Sequence, residues 1–283
     1  MDPVSDPPVR LVMRYELARL APSRRARTVL PPISASRGAE TDYTNALRAM
    51  LRGLADEVQA TILPEVEAEM ARQRMLTQDA VRMGMFDRLL DVALGLALVA
   101  ERTVTRILGL EVDRHTERWK ASVRSTLGID IATVVRNEDL GDYLETVTDR
   151  NVGLIRKLAR DTSENVRQAV LNAILQGRTA KQLRGDLTDQ FGISQRRAKV
   201  IARDQIAKVT SDLNQRRHTQ AGITHYVWST SHDERVRARH RALDGNEYEY
   251  GKPTGAEQGL PPGQPIQCRC VGRAIVIFDG ERF

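Results

Sequence analysis

Aromatic residues are scarce in this chain of 283 residues, where Phe, Trp and Tyr together make up 4%. A core with so few rings must be built mainly from Leu, Val, Ile and Ala, a composition that suits packed helices. Cysteine is scarcer still: Cys268 and Cys270 are the only two, with one residue between them. That number and spacing exclude a disulfide scaffold.

The sequence also lacks a long hydrophobic run. The longest, at residues 92–100, is far shorter than the ~20 residues that a membrane span needs. The first residues include acidic side chains and show no apolar segment typical of a signal peptide. We therefore expect a soluble, mostly helical protein that is made in the cytosol and contacts no membrane.

Charge is distributed unevenly, although the net charge is only +6. Residues 41–151 carry 14 basic and 19 acidic side chains, whereas residues 152–241 carry 18 and 8. A basic block of this size attracts polyanions, nucleic acid above all, and the alternative interpretation is a set of solvated helix faces. The side chains that predict nonspecific DNA binding are Arg196, Arg197, Lys199, Arg203, Lys208, Arg216 and Arg217.

The N-terminal half divides into two predicted regions. Residues 1–40 are rich in Pro and Arg and indicate a flexible arm with at most a short helix, over residues 11–20. Residues 41–150 show helical spacing of apolar side chains and predict a helical docking module. Its predicted helices end or kink at Pro64, then cover residues 77–108, 112–126 and 133–149, with a break at Gly128.

Residues 151–283 form the third predicted region, in which helices give way to strands. We expect helices over residues 151–176, 179–191 and 194–219, the last two capped by Thr179 and Ser194. The β-branched and aromatic stretch 223–228 and the apolar stretch 271–278 predict strands, with a turn at residues 244–246. The expected fold is therefore α+β and mostly helical: long N-terminal helices, then a C-terminal domain of helices packed on a small β-sheet.

Two thiols and an imidazole are the side chains that suggest chemistry. Cys268, Cys270 and His240, with acidic residues nearby, have the character of a metal-ligand set, and soft thiolates with an imidazole suit zinc. The alternative is a pair of small buried cysteines beside a hydrogen-bonded histidine. Spacing alone leaves both interpretations open.

The order of several short motifs between residues 201 and 270 is more specific than any one of them. They are Ile201-Ala202-Arg203-Asp204, Asn214, Gly222, Tyr226-x-Trp228, the segment Asp233–His240, Asp244-Gly245, Pro262-Gly263 and Cys268-Arg269-Cys270. In this order they resemble the Mu F-like phage head morphogenesis family, the minor head or minor capsid proteins of tailed phages. The resemblance covers about residues 160–278.

The resemblance also bears on the metal site. Relatives that carry Cys-x2-Cys where this chain has Arg237 and His240 would have four cysteine ligands, so His240 would replace one of them. Asp233 or His232 would supply the fourth ligand, with Asp233 preferred. The resemblance thus implies a structural zinc held by Asp233, His240, Cys268 and Cys270.

For function, the resemblance implies a minor capsid protein that is made in the host cytoplasm and takes part in procapsid assembly and head morphogenesis. Its expected place is the capsid interior of the virion, near the portal, with the phage portal protein, other head proteins and DNA as partners. This interpretation assigns no enzymatic activity.

The alternative function is a metal-dependent nuclease that acts on DNA. His232, Asp233, His240, Asp244 and Asn246 loosely fit a site in which a histidine activates water and a divalent ion neutralises phosphate. Their order and spacing fit such a site poorly, and residues 244–246 are better explained as a turn.

Overall fold

The computed structural model describes residues 13–21, 26–72, 84–135 and 140–278. Its α-helices are α1 (Leu17–Leu20), α2 (Arg37–Glu57), α3 (Leu63–Arg72), α4 (Gly84–Leu127), α5 (Gly141–Leu175), α6 (Ala180–Gln220) and α7 (Ala238–Leu243). The strands are β1 (Arg27–Val29), β2 (His225–Ser229), β3 (Glu247–Glu249) and β4 (Val271–Ile277). The prediction of a mostly helical α+β fold is confirmed. Within these ranges, none of the helices combines the length and apolar character needed to cross a membrane.

The N-terminal helices are longer and fewer than predicted. The two helices expected over residues 77–108 and 112–126 are one helix, α4, and residues 77–83 lie outside the described ranges. The helices expected over 133–149 and 151–176 are likewise one helix, α5, and residues 136–139 are outside the described ranges. Gly128 ends α4 as predicted, with a left-handed φ of 73° that suits glycine.

Helical backbone continues through Pro64, where we expected an end or a kink, but the α-helical pattern is interrupted just before it. Between α2 and α3 the chain forms a π-helical segment, Val58–Ile62. The N–H of Leu63 bonds to the carbonyl of Val58, five residues back, so this turn is wider than an α-helical one. Pro64 then lies in the first turn of α3, where proline is tolerated.

The predicted start of a separate helix at Ser194 is wrong. Ser194 lies inside α6, where its hydroxyl is buried 3.1 Å from that of Thr162 on α5. The cap predicted at Thr179 is confirmed: its hydroxyl accepts the Gln182 N–H at 3.3 Å, and the Gln182 side chain accepts the Thr179 N–H at 2.9 Å. These reciprocal bonds form a capping box at the start of α6.

The sheet is antiparallel, with strand order β1-β4-β2-β3. Tyr226 of β2 is paired with Ala274 of β4 on one side and with Tyr248 of β3 on the other. The predicted strands β2 and β4 are confirmed, but β1 comes from the Pro/Arg-rich N-terminal segment, where we expected no strand. Thr28 of β1 pairs with Val276 of β4.

The chain divides into two compact units. One comprises Met1–Ser36, Leu110–Asp142 and Asp204–Phe283, and the other comprises Arg37–Gly109 and Tyr143–Arg203. The first unit contains the sheet and is called the sheet unit below; the second is called the helical unit. The predicted domains of residues 1–40, 41–150 and 151–283 stay predictions about which parts of the chain fold independently.

Two apolar clusters support the sheet unit. The larger includes Leu30 and Ile33, which follow β1, together with Trp119 of α4 and Val276 of β4. The smaller packs around Trp228 of β2 and contains both cysteines. Segments that are far apart in sequence therefore build the larger cluster, and the cysteines belong to the smaller one.

Candidate functional site

Helix α6 holds the loop that leads to the cysteines. The carboxylate of Asp204 accepts the backbone N–H of Gln267 at 2.9 Å, and the Ser211 hydroxyl donates to the carbonyl of Pro262 at 2.6 Å. Gly263 has φ 89°, and a Cβ there would lie 2.8 Å from the Cβ of Ser211, so glycine is required on both counts. Two motifs recognised in the sequence, Arg203-Asp204 and Pro262-Gly263, thus belong to one clamp.

The backbone bends sharply at the cysteine pair. The Cys268 N–H bonds to the carbonyl of Pro265 at 2.8 Å, which closes a turn just before the pair. The Cys270 N–H then points back to the Cys268 sulfur at 3.4 Å. This bend brings two side chains that lie one residue apart towards a single point.

His240 of α7 completes a cluster with the two cysteines. Its Nδ1 lies 3.4 Å from Cys268 Sγ and 3.5 Å from Cys270 Sγ, and all three side chains are buried. The three ligand atoms lie within 4.8 Å of one another. The fold therefore brings together three of the four residues that were predicted to form a metal site.

Asp233, the fourth predicted ligand, lies outside this group. Its carboxylate is engaged by the guanidinium of Arg269 through two hydrogen bonds and also accepts the Arg235 N–H at 3.0 Å. The hydrogen bond from Arg269 is the main reason why the pKa of Asp233 lies below its usual value. The carboxylate of Asp233 therefore forms an ion pair with Arg269 and is not a member of the cysteine cluster.

Glu257 is the member of the site that the sequence did not reveal. Its carboxylate oxygen lies 2.6 Å from His240 Nε2, on the side of the ring away from the sulfurs. This hydrogen bond is the main reason why the pKa of Glu257 is lowered, and an ionised carboxylate accepts the hydrogen bond from Nε2. The other ring nitrogen of His240, Nδ1, faces the two sulfurs.

The two thiols have opposite electrostatic environments. The pKa of Cys268 is lowered to about 6, mainly by the hydrogen bond from Cys270 and further by backbone N–H groups of Cys270 and Gly263. The pKa of Cys270 is raised, mainly because its proton is held in that same hydrogen bond, with burial adding to the effect. Without a cation nearby, only one of the two sulfurs is favoured as thiolate.

The residues of the nuclease alternative all contact other protein groups. Nδ1 of His232 lies 3.4 Å from a carboxylate oxygen of Asp244, and Asp233 bonds to Arg269. Both ring nitrogens of His240 face partners, the sulfurs on one side and Glu257 on the other. Asp244 caps the Thr230 N–H at 2.7 Å, and the Asn246 side chain donates to the Ala242 carbonyl at 3.0 Å. Asp244 and Asn246 are therefore used in the turn, which the sequence also indicated.

The predicted DNA-binding residues of α6 form two groups, one with side chains that have no partner among the described residues and one with side chains bonded within the protein. Arg196 and Lys199 are exposed and Arg203 is half-buried, and their spacing of three and four residues places them on one face of the helix. In the described part of the chain, no hydrogen bond or ion pair involves these three side chains. We call this face the basic stripe.

The remaining predicted DNA contacts are engaged within the protein. Arg197 bonds to Asp161 at 2.7 Å, and Lys208 bonds to Asp204 at 2.7 Å. Arg217 has an exposed fraction of 0% and donates to Thr116 and Gln220, which removes it from any DNA-binding surface. Arg216 is half-buried and also has a partner inside the protein.

The class of protein defined by these observations is an α+β protein in which a helix–loop clamp supports a buried cluster of two cysteines and a histidine. Residues 164–273, which include the clamp and the cluster, match the family described as Phage Mu protein F like protein. The resemblance predicted from the motifs is thereby confirmed: residues 164–273 are similar to the Mu F-like family.

A curated relative extends the similarity beyond that region. The chain is 34% identical over 172 residues to an uncharacterized protein of Haemophilus influenzae. The similarity covers 60% of this chain and 37% of the relative, so the chain spans little more than a third of that protein. No solved structure matches the chain.

Proposed function

We propose that this protein is a minor head protein of a tailed phage, a structural component that joins the procapsid during assembly. The observation that carries the proposal is the Mu F-like match over residues 164–273, since that family is one of phage head morphogenesis. In the proposed role the protein lies in the capsid interior near the portal and contacts the portal protein, other head proteins and packaged DNA.

The basic stripe supports the DNA contact. Arg196, Lys199 and Arg203 offer three cations on one helix face with no protein partner among the described residues. Cations in this state displace counterions from a phosphate backbone, which gives binding that is independent of sequence and sensitive to salt. Protein contacts such as Arg197–Asp161 leave less charge available at the other predicted positions.

Localisation in particles is the direct test of the head role. Procapsids and mature heads are purified from cells in which the phage genes are expressed, and the protein is identified by mass spectrometry and by cryo-electron microscopy around the resolved portal. We expect it in the particles, in few copies and next to the portal. Procapsids of normal composition that never contain the protein would contradict the proposal.

The DNA contact is tested with two matched triple variants. In the stripe variant, Arg196, Lys199 and Arg203 are replaced by Gln. In the control variant, the exposed side chains Arg52, Arg102 and Arg106, which also have no partner among the described residues, are replaced by Gln. Both variants have three fewer positive charges in the helical unit.

Binding to a labelled duplex is measured across a range of salt concentrations. For the stripe variant we expect weaker binding and a salt slope reduced by up to about 3, roughly one unit for each phosphate that the variant no longer neutralises. The control variant should retain the slope of the unmodified protein. Equal reductions in the two variants would mean that net charge, not the stripe, accounts for the binding.

A further inference from the structure

The His240–Cys268–Cys270 cluster has the dimensions of a tetrahedral metal site. Zinc–sulfur bonds of about 2.3 Å and a zinc–nitrogen bond of about 2.0 Å place sulfur and nitrogen about 3.5 Å apart at the tetrahedral angle. The observed distances from His240 Nδ1 to the two sulfurs are 3.4 and 3.5 Å. The ligand atoms therefore already stand at the separations that a zinc ion would impose.

A hydrogen-bonded cluster accounts for only part of this geometry. Because Nε2 of His240 bonds to Glu257, only Nδ1 is left to face the two sulfurs. A single linear hydrogen bond would bring Nδ1 close to one sulfur, yet both sulfurs lie at nearly the same distance from it. A cation placed between the three atoms is bound by Nδ1 and both sulfurs at once.

The surroundings of the cluster match those of a metal centre. Histidine ligands of metals characteristically donate their second N–H to a carboxylate, which fixes the ring, and Glu257 occupies that place. The Cys270 N–H directed at the Cys268 sulfur stabilises charge on a thiolate.

We propose that His240 Nδ1, Cys268 Sγ and Cys270 Sγ bind one zinc ion, with Glu257 as the residue that orients His240. Two sulfurs and one imidazole favour zinc over the hard cations that prefer oxygen ligands. No further Cys, His, Asp or Glu atom of the described residues joins the group, so the proposed site has three protein ligands. The ion ties the start of β4 to α7 and stabilises the sheet unit.

The first experiment measures the metal directly. The full chain is purified under reducing conditions with zinc supplied, and its metal content is determined by elemental analysis. We expect about one zinc per chain, and replacement by Co²⁺ should give the visible bands of a tetrahedral site together with thiolate charge-transfer absorption. A protein with free, reduced thiols that takes up neither zinc nor cobalt would overturn the proposal.

Variants then assign the ligands. Cys268→Ser, Cys270→Ser and His240→Gln should each abolish stoichiometric binding, while circular dichroism checks that the helices are retained. Asp233→Asn should bind zinc as the unmodified protein does, because the carboxylate of Asp233 bonds to Arg269 and not to the metal site. Loss of zinc in Asp233→Asn would overturn the three-residue ligand set.

Glu257→Gln keeps the test valid even if the ligand variants do not fold. We expect this variant to bind zinc with affinity lowered by roughly 10- to 100-fold, the usual effect of removing such a carboxylate partner. Glu249→Gln, an exposed position on β3 with no partner among the described residues, is the matched control and should bind as before. Equal affinities for the two variants would overturn the role assigned to Glu257.

Discussion

The two ends of helix α6 use positive charge in opposite ways. In the helical unit, Arg196, Lys199 and Arg203 form the basic stripe, which has no partner among the described residues. In the sheet unit, Lys208 is paired with Asp204, and Arg217 is fully buried against Thr116 and Gln220. One helix thus contains exposed basic residues that have no partner among the described residues and buried basic residues that support the core.

The difference teaches that a charge count along a sequence overstates the charge offered to solvent. A buried cation is retained where its hydrogen bonds are made inside the protein, and removing it leaves those partners without compensation. An exposed cation with no partner costs little to remove but attracts anions. The two ends of α6 should therefore respond to the same substitution in different ways.

Replacing Arg217 by Ala should have the largest effect on stability. The change leaves a cavity and removes the hydrogen bonds to Thr116 and Gln220, and together these should lower the free energy of unfolding by about 4 kcal/mol. Arg196→Ala, on the exposed part of the same helix, should change it by less than about 0.5 kcal/mol. Chemical denaturation of both variants compares them, and equal effects would contradict the division of α6.

Lowering the pH should decrease the free energy of unfolding through His115 of α4, which contacts the buried end of α6. His115 Nε2 donates to Asn214 of α6 at 2.9 Å, and burial lowers the pKa of His115 from 6.5 to about 4. Below pH 6.5 the imidazole of His115 binds a proton in the unfolded chain but stays neutral in the folded protein. The free energy of unfolding therefore decreases as the pH falls towards 4. Between pH 7 and pH 5 the decrease due to this group should be about 2 kcal/mol.

The matched variant for this effect is His115→Gln, which keeps a donor for Asn214 but cannot titrate. Its free energy of unfolding should depend less on pH than that of the unmodified protein over the same interval. Glu111, one turn away, has a pKa raised by burial and titrates with the opposite sign, so the difference between the two proteins isolates His115. Parallel pH curves would rule out a neutral, buried His115.

The smallest expected effect is that of the stripe variant on stability. Replacing Arg196, Lys199 and Arg203 by Gln removes no hydrogen bond or ion pair among the described residues, so the free energy of unfolding should change by less than about 1 kcal/mol. Thermal unfolding of this variant and of the Arg52, Arg102 and Arg106 control should coincide. A clear destabilisation confined to the stripe variant would mean that the stripe supports the fold.

Local sequence signals predict where a helix begins or ends better than they predict whether two neighbouring helical stretches form one helix. Gly128 stops α4 and Thr179 caps α6 because backbone conformation and capping are decided by a few adjacent residues. Ser194 has the character of a second cap, but its hydroxyl is used by Thr162, a partner 32 residues away that spacing does not reveal. Strand β1 escapes prediction because its partner β4 lies near the other end of the chain.

The candidate site is predictable where residue chemistry is distinctive and hidden where it is not. Two cysteines and a histidine are rare enough to be grouped from the sequence, and the fold brings them together. The acidic member of the site is harder to predict. Asp233 is nearer to His240 in sequence but bonds to Arg269, whereas Glu257 lies 17 residues beyond His240 and contacts its ring. Distance along the sequence does not show which carboxylate reaches the histidine.

Strand β1 has a consequence for the order in which the protein can be completed. A ribosome makes residues 27–29 early, yet their hydrogen-bonding partners at residues 275–277 come almost 250 positions later. At about 5–20 residues per second, the strand waits roughly 10–50 s for its neighbour, far longer than a helix needs to form. The pairing of β1 with β4 therefore forms only after residues 275–277 have been made, when the helices between the two strands have already had time to fold.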